Sequence, residues 1–317
     1  MCKVPGNLKR IYWDHLRFLP LRWFTGPLDV FHSCDAFLPP LGEIKGVSTV
    51  HDLCQRRFPE YFEQGIHRRD ASLQRALERA DAIVVPSRQT RTDLLEMFPL
   101  PGEKIHLVYP SIDQRFHPPD INDAGSDLRV KEALHLEPPF VLFVGTLEPR
   151  KNLVSLIRAF EQADRALSGT LSLVIAGKPG WMYRDIFRAI ESSPFRRKIR
   201  YLSYVSDDDL AALYRMARVF VYPSYYEGFG YPVFEAMASG TPVVTSNCSS
   251  LKEIAAGAAE LTDPSDCDSI ANAIAEVSQD EDRRRTLIDA GLQRSRWLSS
   301  QNPAAGVMHI YRLLTAH

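Results

Sequence analysis

Two glutamates open the chemical reading. Glu227 and Glu235 stand with seven residues between them in the stretch Ser224-Tyr225-Tyr226-Glu227-Gly228-Phe229-Gly230-Tyr231-Pro232-Val233-Phe234-Glu235-Ala236-Met237. Gly228 and Gly230 let the backbone turn tightly and approach a ligand closely. Pro232 suits the first turn of a helix, where its missing N–H costs nothing. That helix is expected to run to Ser239, with Gly240 placed to end it. The loop therefore runs into a helix N-terminus, whose free N–H groups can hold a phosphate. Carboxylates on either side of such a site can grip hydroxyls of the groups attached to a diphosphate, which describes a nucleoside diphosphate sugar. The plainer reading stays open at this point. Glu235 can complement the helix dipole, and Glu227 can be a solvated loop charge.

A second group of residues follows an apolar run, Phe140–Val144: Gly145-Thr146-Leu147-Glu148-Pro149-Arg150-Lys151-Asn152. A glycine-initiated turn here leads to a helix opening at Asn152, with Arg150 and Lys151 just before it. Two cations beside a helix N-terminus form a diphosphate site; the same pair can equally be a solvated turn. The spacing fits neither a P-loop nor a GxGxxG fingerprint. A third element, His51-Asp52, ends the run Gly46–Val50. The carboxyl end of a parallel strand is where open α/β sheets bind ligands, although a single histidine there can be purely structural.

The elements that must carry these residues are short apolar runs alternating with helical stretches. The runs are Asp29–His32, Gly46–Val50, Ala82–Val85, Ile105–Tyr109, Phe140–Val144, Leu171–Ala176, Ile199–Tyr204, Val219–Tyr222 and Pro242–Thr245. Several are apolar throughout, as strands buried on both faces of a parallel sheet are. Helical patterns lie between them near 66–80, 88–98, 152–167, 184–191, 207–216 and 231–239. The alternation predicts βαβ units and an α/β fold. With 317 residues, 45% of them hydrophobic, the chain can bury two cores. The stretch 119–138, rich in Pro, Asn and Asp but with a short helix expected over Leu128–Leu136, reads as a linker. It divides a first domain, 1–118, from a second, 139–300, and 301–317 reads as a closing helix able to pack on either.

Charge and cysteine content narrow the partners. Thirty-eight basic residues against 39 acidic ones give a net charge of −1. A duplex-binding protein carries a basic excess to neutralise phosphates, so no nucleic acid is expected. Five cysteines without CxxC spacing read as reduced thiols in a cytoplasmic protein. No apolar run is long enough to span a bilayer. Pro5, Asn7 and Lys9 interrupt any secretory leader at the start. Residues 1–25 hold Lys3, Lys9, Arg10, Arg17 and Arg22 against Asp14 alone, interleaved with Tyr12, Trp13, Phe18, Trp23 and Phe24. Such a helix can lie peripherally on an anionic membrane, here the inner face, or pack on the protein's own core.

Taken in order, these motifs resemble the retaining glycosyltransferases of family 4, over about residues 27–295. The resemblance rests on Val50-His51-Asp52, Val84-Val85-Pro86-Ser87, Phe143 to Asn152, Ile175-Ala176-Gly177-Lys178, Tyr222-Pro223-Ser224, Glu227-Gly228-Phe229-Gly230 with Glu235-Ala236, and Gly240-Thr241-Pro242-Val243-Val244. It implies a GT-B fold of two facing Rossmann-like domains with parallel sheets. It also implies roles: Glu235 binds the ribose, Glu227 binds hydroxyls of the donor sugar, and backbone N–H groups near Phe229 and Gly230, with Gly145 and Gly228 in the same loops, hold sugar and phosphate. Lys151 stabilises the leaving diphosphate, and His51 sits near the donor sugar. Where many relatives carry arginine after the first loop's glycine, this chain has Thr146, so Arg150 becomes the candidate partner of Lys151. The usual opening strand and glycine-rich loop are not found, so the N-terminal domain reads as truncated.

The resemblance implies front-face transfer with retention, the diphosphate oxygen taking the acceptor's proton. Catalysis then rests on charge at the leaving group and on alignment. Neither metal nor cofactor is required, and Asp207-Asp208-Asp209 reads as an acidic helix start. The form Gly-Thr-Leu-Glu-Pro-Arg-Lys-Asn resembles mannosyltransferases of bacterial surface polysaccharides, which makes GDP-mannose the first choice of donor and a saccharide or lipid-linked saccharide the acceptor. Other GT-B enzymes, such as a sugar-nucleotide epimerase or a phosphorylase, and a non-catalytic subunit stay open as alternatives.

Overall fold

The structure is a computed structural model that describes residue 21 and residues 25–35, 37–62 and 67–316. The basic, aromatic segment over 1–25 lies, apart from Leu21 and Thr25, outside the described residues. Two compact units are present, each built on a parallel sheet.

In the first unit four strands, β1 (Val30–Ser33), β2 (Lys45–Thr49), β3 (Ala82–Val85) and β4 (Ile105–Leu107), lie side by side in sequence order, all parallel. A short helix α1 (Cys54–Arg57) follows β2, and the crossovers are α2 (His67–Arg79) and α3 (Arg88–Met97). Ser87 starts α3 by accepting a hydrogen bond on Oγ from the N–H of Thr90 at 3.1 Å, the usual way to satisfy a free N-terminal donor. One face of the sheet buries Ile83, Val85 and Ile105 with Leu77 and Leu94. The other buries Val47, Ala82 and Val84 under Ile310. Ile310 belongs to α12 (Pro303–Thr315), so the closing helix packs on the first unit.

The second unit has six parallel strands: β5 (Phe140–Val144), β6 (Ser172–Ala176), β7 (Ile199–Leu202), β8 (Val219–Tyr222), β9 (Val243–Ser246) and β10 (Glu260–Thr262). Their spatial order is β10-β9-β8-β5-β6-β7. The chain winds outward from β5 to β7, then returns to the other side of β5 at β8. The strand order therefore reverses between β5 and β8, and the crevice at the carboxyl ends of such strands is where open α/β sheets bind ligands. Helices α5 (Leu153–Ala166), α6 (Arg184–Ser192), α7 (Asp207–Met216), α8 (Tyr231–Ala238) and α9 (Ser249–Ala255) connect the strands, and α10 (Cys267–Gln279) and α11 (Glu281–Ser299) follow the last of them. Ser206 caps α7 and its first turn holds Asp207, Asp208 and Asp209, as the acidic triplet predicts.

The units do not follow one cut in the sequence. The first takes described residues up to Arg56, those up to Tyr109 after the 57–62 segment, and those from Asn302 on. The second takes described residues 57–62 and Pro110–Gln301. Aromatic stacking explains the exchange of 57–62: Tyr61 stacks on Tyr225 at 5.5 Å and Phe62 on Trp181 at 5.1 Å between ring centroids. The stretch read as a linker carries a helix of its own, α4 (Ala124–Ala133). Ion pairs tie it to α7, Arg129 to Asp209 at 2.7 Å and Arg215 to Asp127 at 2.5 Å.

Candidate active site

The two loops singled out by sequence leave β5 and β8, the pair of strands at the reversal. After β5, Gly145 takes φ 154°. Its carbonyl is so close to Gly177, in the loop after β6, that a Cβ built on Gly177 would fall 1.9 Å from it. No other residue could occupy position 177 with this backbone, and the close approach brings the two loops together. The chain then makes a short 3₁₀ turn, Pro149–Lys151, and Asn152 adopts a left-handed conformation (φ 59°) before α5 begins at Leu153. Asn152 Nδ2 donates to the carbonyls of Pro223 at 3.2 Å and Pro264 at 2.7 Å, fastening this turn to the loops after β8 and β10.

The second loop enters α8 through Gly230 at φ 107°. Ser250 at the start of α9 donates from Oγ to the carbonyls of Glu227 and Phe229, both at 2.8 Å, and Ser249 Oγ accepts from the N–H of Glu227 at 3.2 Å. The helix closes as expected: Ser239 is its cap, Gly240 takes φ 72°, and the N–H of Thr241 returns to the carbonyl of Ala236 at 3.0 Å. Gly228 and Phe229 are buried within the loop.

Together the loops form one charged cluster. Glu227 receives Lys151 Nζ on Oε1 at 2.6 Å and Arg150 Nη1 on Oε2 at 2.8 Å. Arg150 also reaches Glu148 Oε1 at 2.6 Å and the carbonyl of Tyr226 at 2.6 Å, and Lys151 Nζ donates to Tyr222 Oη at 2.7 Å. All four charged residues are buried, none above 9% exposed. Burial alone works to raise the pKa of Glu227, but the charges of Lys151 and Arg150 outweigh it and hold the carboxyl at about 2. Burial would lower Lys151; the Glu227 charge reverses this and raises it. Burial pushes Tyr222 up to about 12 and lifts Glu148 above the usual carboxylate range. The cluster thus has a fully charged core at neutral pH.

Glu235 sits in different surroundings. It is on α8, and its Oε2 accepts from Tyr214 Oη at 2.9 Å. Burial raises its pKa to about 7; the Tyr214 hydrogen bond opposes the rise and the Asp207 charge adds to it.

Arg150, Lys151 and Glu227 are therefore brought into direct contact, with Gly145, Gly228, Phe229 and Gly230 in the loops that hold them, and Thr146 exposed on the first of those loops. His51 belongs to the first unit. It is exposed, and its Nε2 lies 2.9 Å from the carbonyl of Cys34. Five residues of the site escape sequence reasoning: Glu148, Tyr222, Tyr214 and the Ser249-Ser250 pair. Ser249-Ser250 alone had a local signal, two hydroxyls at a helix start.

Two parallel-sheet units, the second with paired loops at a strand-order reversal, are the GT-B architecture of glycosyltransferases. Comparison with known proteins agrees. The family model for glycosyl transferases group 1 matches residues 126–294, and that for glycosyltransferase family 4 matches residues 3–116. O-antigen chain mannosyltransferase B of Escherichia coli is 32% identical over 90% of this chain and 74% of its own length. D-inositol 3-phosphate glycosyltransferase of Corynebacterium glutamicum (strain R) is 29% identical over 75% of this chain and 58% of its own. Among solved structures, sucrose-phosphate synthase from Thermosynechococcus elongatus superposes with a TM-score of 0.76 at 25% identity, covering 91% of this chain and 74% of that one. WaaG, a glycosyltransferase involved in lipopolysaccharide biosynthesis, gives 0.74 at 15% identity, covering 100% and 85%, a likeness of fold. The chain belongs to the glycosyl transferases group 1 family and is a glycosyltransferase.

Proposed function

We propose that this glycosyltransferase moves a hexose, with GDP-mannose as first-choice donor, onto a saccharide or lipid-linked saccharide with retention of configuration. The observation that carries the reading is Glu227 bridging Lys151 and Arg150 at 2.6 and 2.8 Å. Two buried cations converge there on one anion beside the N-terminus of α8, the arrangement a diphosphate needs. In the free protein Glu227 serves as their counter-ion. A donor diphosphate competes for the same cations, and Glu227 then turns to hydroxyls of the sugar. As the bond to the diphosphate breaks, charge grows on the leaving oxygen and Lys151 stabilises it. Arg150 takes the place of the arginine that Thr146 replaces, and Glu235 holds the ribose. The positive charge comes from side chains and helix termini, so the reading calls for no metal or cofactor. The mannose assignment draws on the Escherichia coli mannosyltransferase relative.

Incubation with GDP-mannose, UDP-glucose and UDP-N-acetylglucosamine, each labelled in the sugar, together with a mannose-terminated oligosaccharide, tests the reading. The expected result is acceptor-dependent release of GDP and an α-linked product. Nucleotide binding without transfer or hydrolysis would favour a non-catalytic subunit; turnover of a UDP-sugar alone would replace the donor. The proposal extends to a cytoplasmic reaction with residues 1–25 resting on an anionic membrane. Binding of the full chain to anionic vesicles should then weaken as salt screens the contact, and indifference to vesicles at low salt would remove that part.

A further inference from the structure

Tyr214 lies wholly inside the second unit on α7, 0% exposed. Its ring is caged edge-on by Phe116 at 5.7 Å and Phe220 at 5.3 Å, and its carbonyl accepts from Thr241 Oγ1 at 2.6 Å. The backbone and ring are thus both held, and the hydroxyl is aimed at Oε2 of Glu235, 2.9 Å away. A phenylalanine would fill the same volume, so the hydroxyl is there for its hydrogen bond. A glutamate side chain left to itself samples several rotamers and loses that freedom on binding. One fixed donor on one oxygen removes most of it in advance, which is how a supporting residue sharpens a binding group.

We propose that Tyr214 is a positioning residue for the donor's ribose, its hydroxyl fixing Oε2 of Glu235 so that the rest of the carboxylate meets the ribose hydroxyls. The proposal rests on the reading of Glu235 as the ribose ligand and adds the group that makes it effective. The ionisation of Glu235 follows from the same neighbours. Tyr214 and Asp207 face it from α7, Tyr231 lies near it on its own helix, and Tyr222 stands behind Tyr214 on β8. Ribose hydroxyls donate to a carboxylate, so binding requires Glu235 ionised and should strengthen as pH rises through about 7. Tyr214 stabilises the ionised form, so its removal moves that midpoint to higher pH.

The test uses the full chain as wild type, Tyr214→Phe and Glu235→Gln. Affinities for GDP and for 2′,3′-dideoxy-GDP are measured by calorimetry across neutral pH, with UDP and its dideoxy analogue alongside because Glu235 does not read the base. In Tyr214→Phe, affinity for the ribonucleotide should fall about tenfold, the scale of one hydrogen bond to a charged group. Affinity for the dideoxy analogue should hold, and the pH midpoint should rise. Equal losses for both probes, or an unmoved midpoint, would reduce Tyr214 to a packing residue and overturn the proposal. Glu235→Gln separates the two layers. If it still prefers the ribonucleotide as wild type does, the ribose reading itself fails. If it abolishes the preference while Tyr214→Phe keeps it, the positioning role fails alone.

Discussion

The loop before α8 holds a buried glutamate and the helix itself a half-buried one, and the two titrate in opposite directions. Glu227 is held at about 2 and Glu235 is raised to about 7. Burial pushes both upward, so burial cannot be the cause of the difference. The partners are. Glu227 faces two cations, whereas Glu235 faces a neutral phenol and feels the negative charge of Asp207. One carboxylate is a fixed counter-ion and the other is poised near neutrality. A site with both can hold a strongly charged diphosphate at one end and bind neutral hydroxyls at the other.

The sharpest way to break this comparison is to delete each carboxylate and measure stability. Glu227→Ala leaves the buried Lys151 ammonium without its carboxylate, resting on the neutral Tyr222 Oη. Removing one member of a buried pair costs about 3–5 kcal/mol, so the urea midpoint should drop steeply. Glu235→Ala takes the acceptor from the buried Tyr214 hydroxyl and should cost less, about 1–3 kcal/mol. Similar losses in the two variants would show that the environments differ less than their titration suggests.

The next effect is kinetic. Lys151→Ala should lower kcat about 10²–10³-fold, the cost of removing one preorganised group from a developing charge, with a smaller change in donor affinity. If only KM rises, Lys151 binds the ground state and the leaving-group role is lost. Smaller still is the binding effect of Glu235→Ala. Free nucleoside diphosphate should bind more weakly by about 1–3 kcal/mol, as much as the full donor does, because the ribose is common to both. Unchanged affinity for the diphosphate in a calorimeter would remove Glu235 from the nucleotide site.

The sequence showed where the two glutamates stand but not the contrast between them, which arises from Lys151, Arg150 and Tyr214. The apolar runs gave nine of the strands because residues such as Phe140–Val144 and Val219–Tyr222 are buried on both faces and so carry no polar alternation. β10 escaped because Glu-Leu-Thr is a three-residue edge strand with only Thr262 buried. Helices α9, α10 and α11 were not read from the sequence either, although α10 buries Ile270, Ile274 and Val277 on one face beside Ala271 and Ala273. The two glutamates, two cations and three glycines could be found because loop chemistry leaves local signatures. Glu148, Tyr222 and Tyr214 could not, since each acts on a residue from another loop or helix, or, for Glu148, beneath a neighbouring arginine. The spacing of Phe58, Tyr61 and Phe62 does not say which unit they join; their ring contacts with Tyr226, Tyr225 and Trp181 assign them to the second.

The mildest test of the comparison is the pH dependence of stability. A carboxylate unfolds to a pKa of about 4.3. Glu235, raised to about 7 when folded, binds its proton more tightly in the native state. Between these values the native state holds more protons than the unfolded one, so stability falls as pH rises through that window. Glu227, held at about 2, works the other way. Its contribution is complete above the unfolded value and is lost as pH falls toward about 2. Since one group changes the slope by at most about 1.4 kcal/mol per pH unit, the signal is read as a difference between variants. Glu235→Gln should flatten the decline on the neutral side and leave the acid limb alone. Glu227→Gln should soften the acid limb and leave the neutral side alone. Urea midpoints for the three proteins, taken from acid to neutral pH, give both slopes. A Glu235→Gln curve parallel to wild type across the neutral window would mean that Glu235 ionises freely in the native protein, and the proposed opposition between the two carboxylates would collapse.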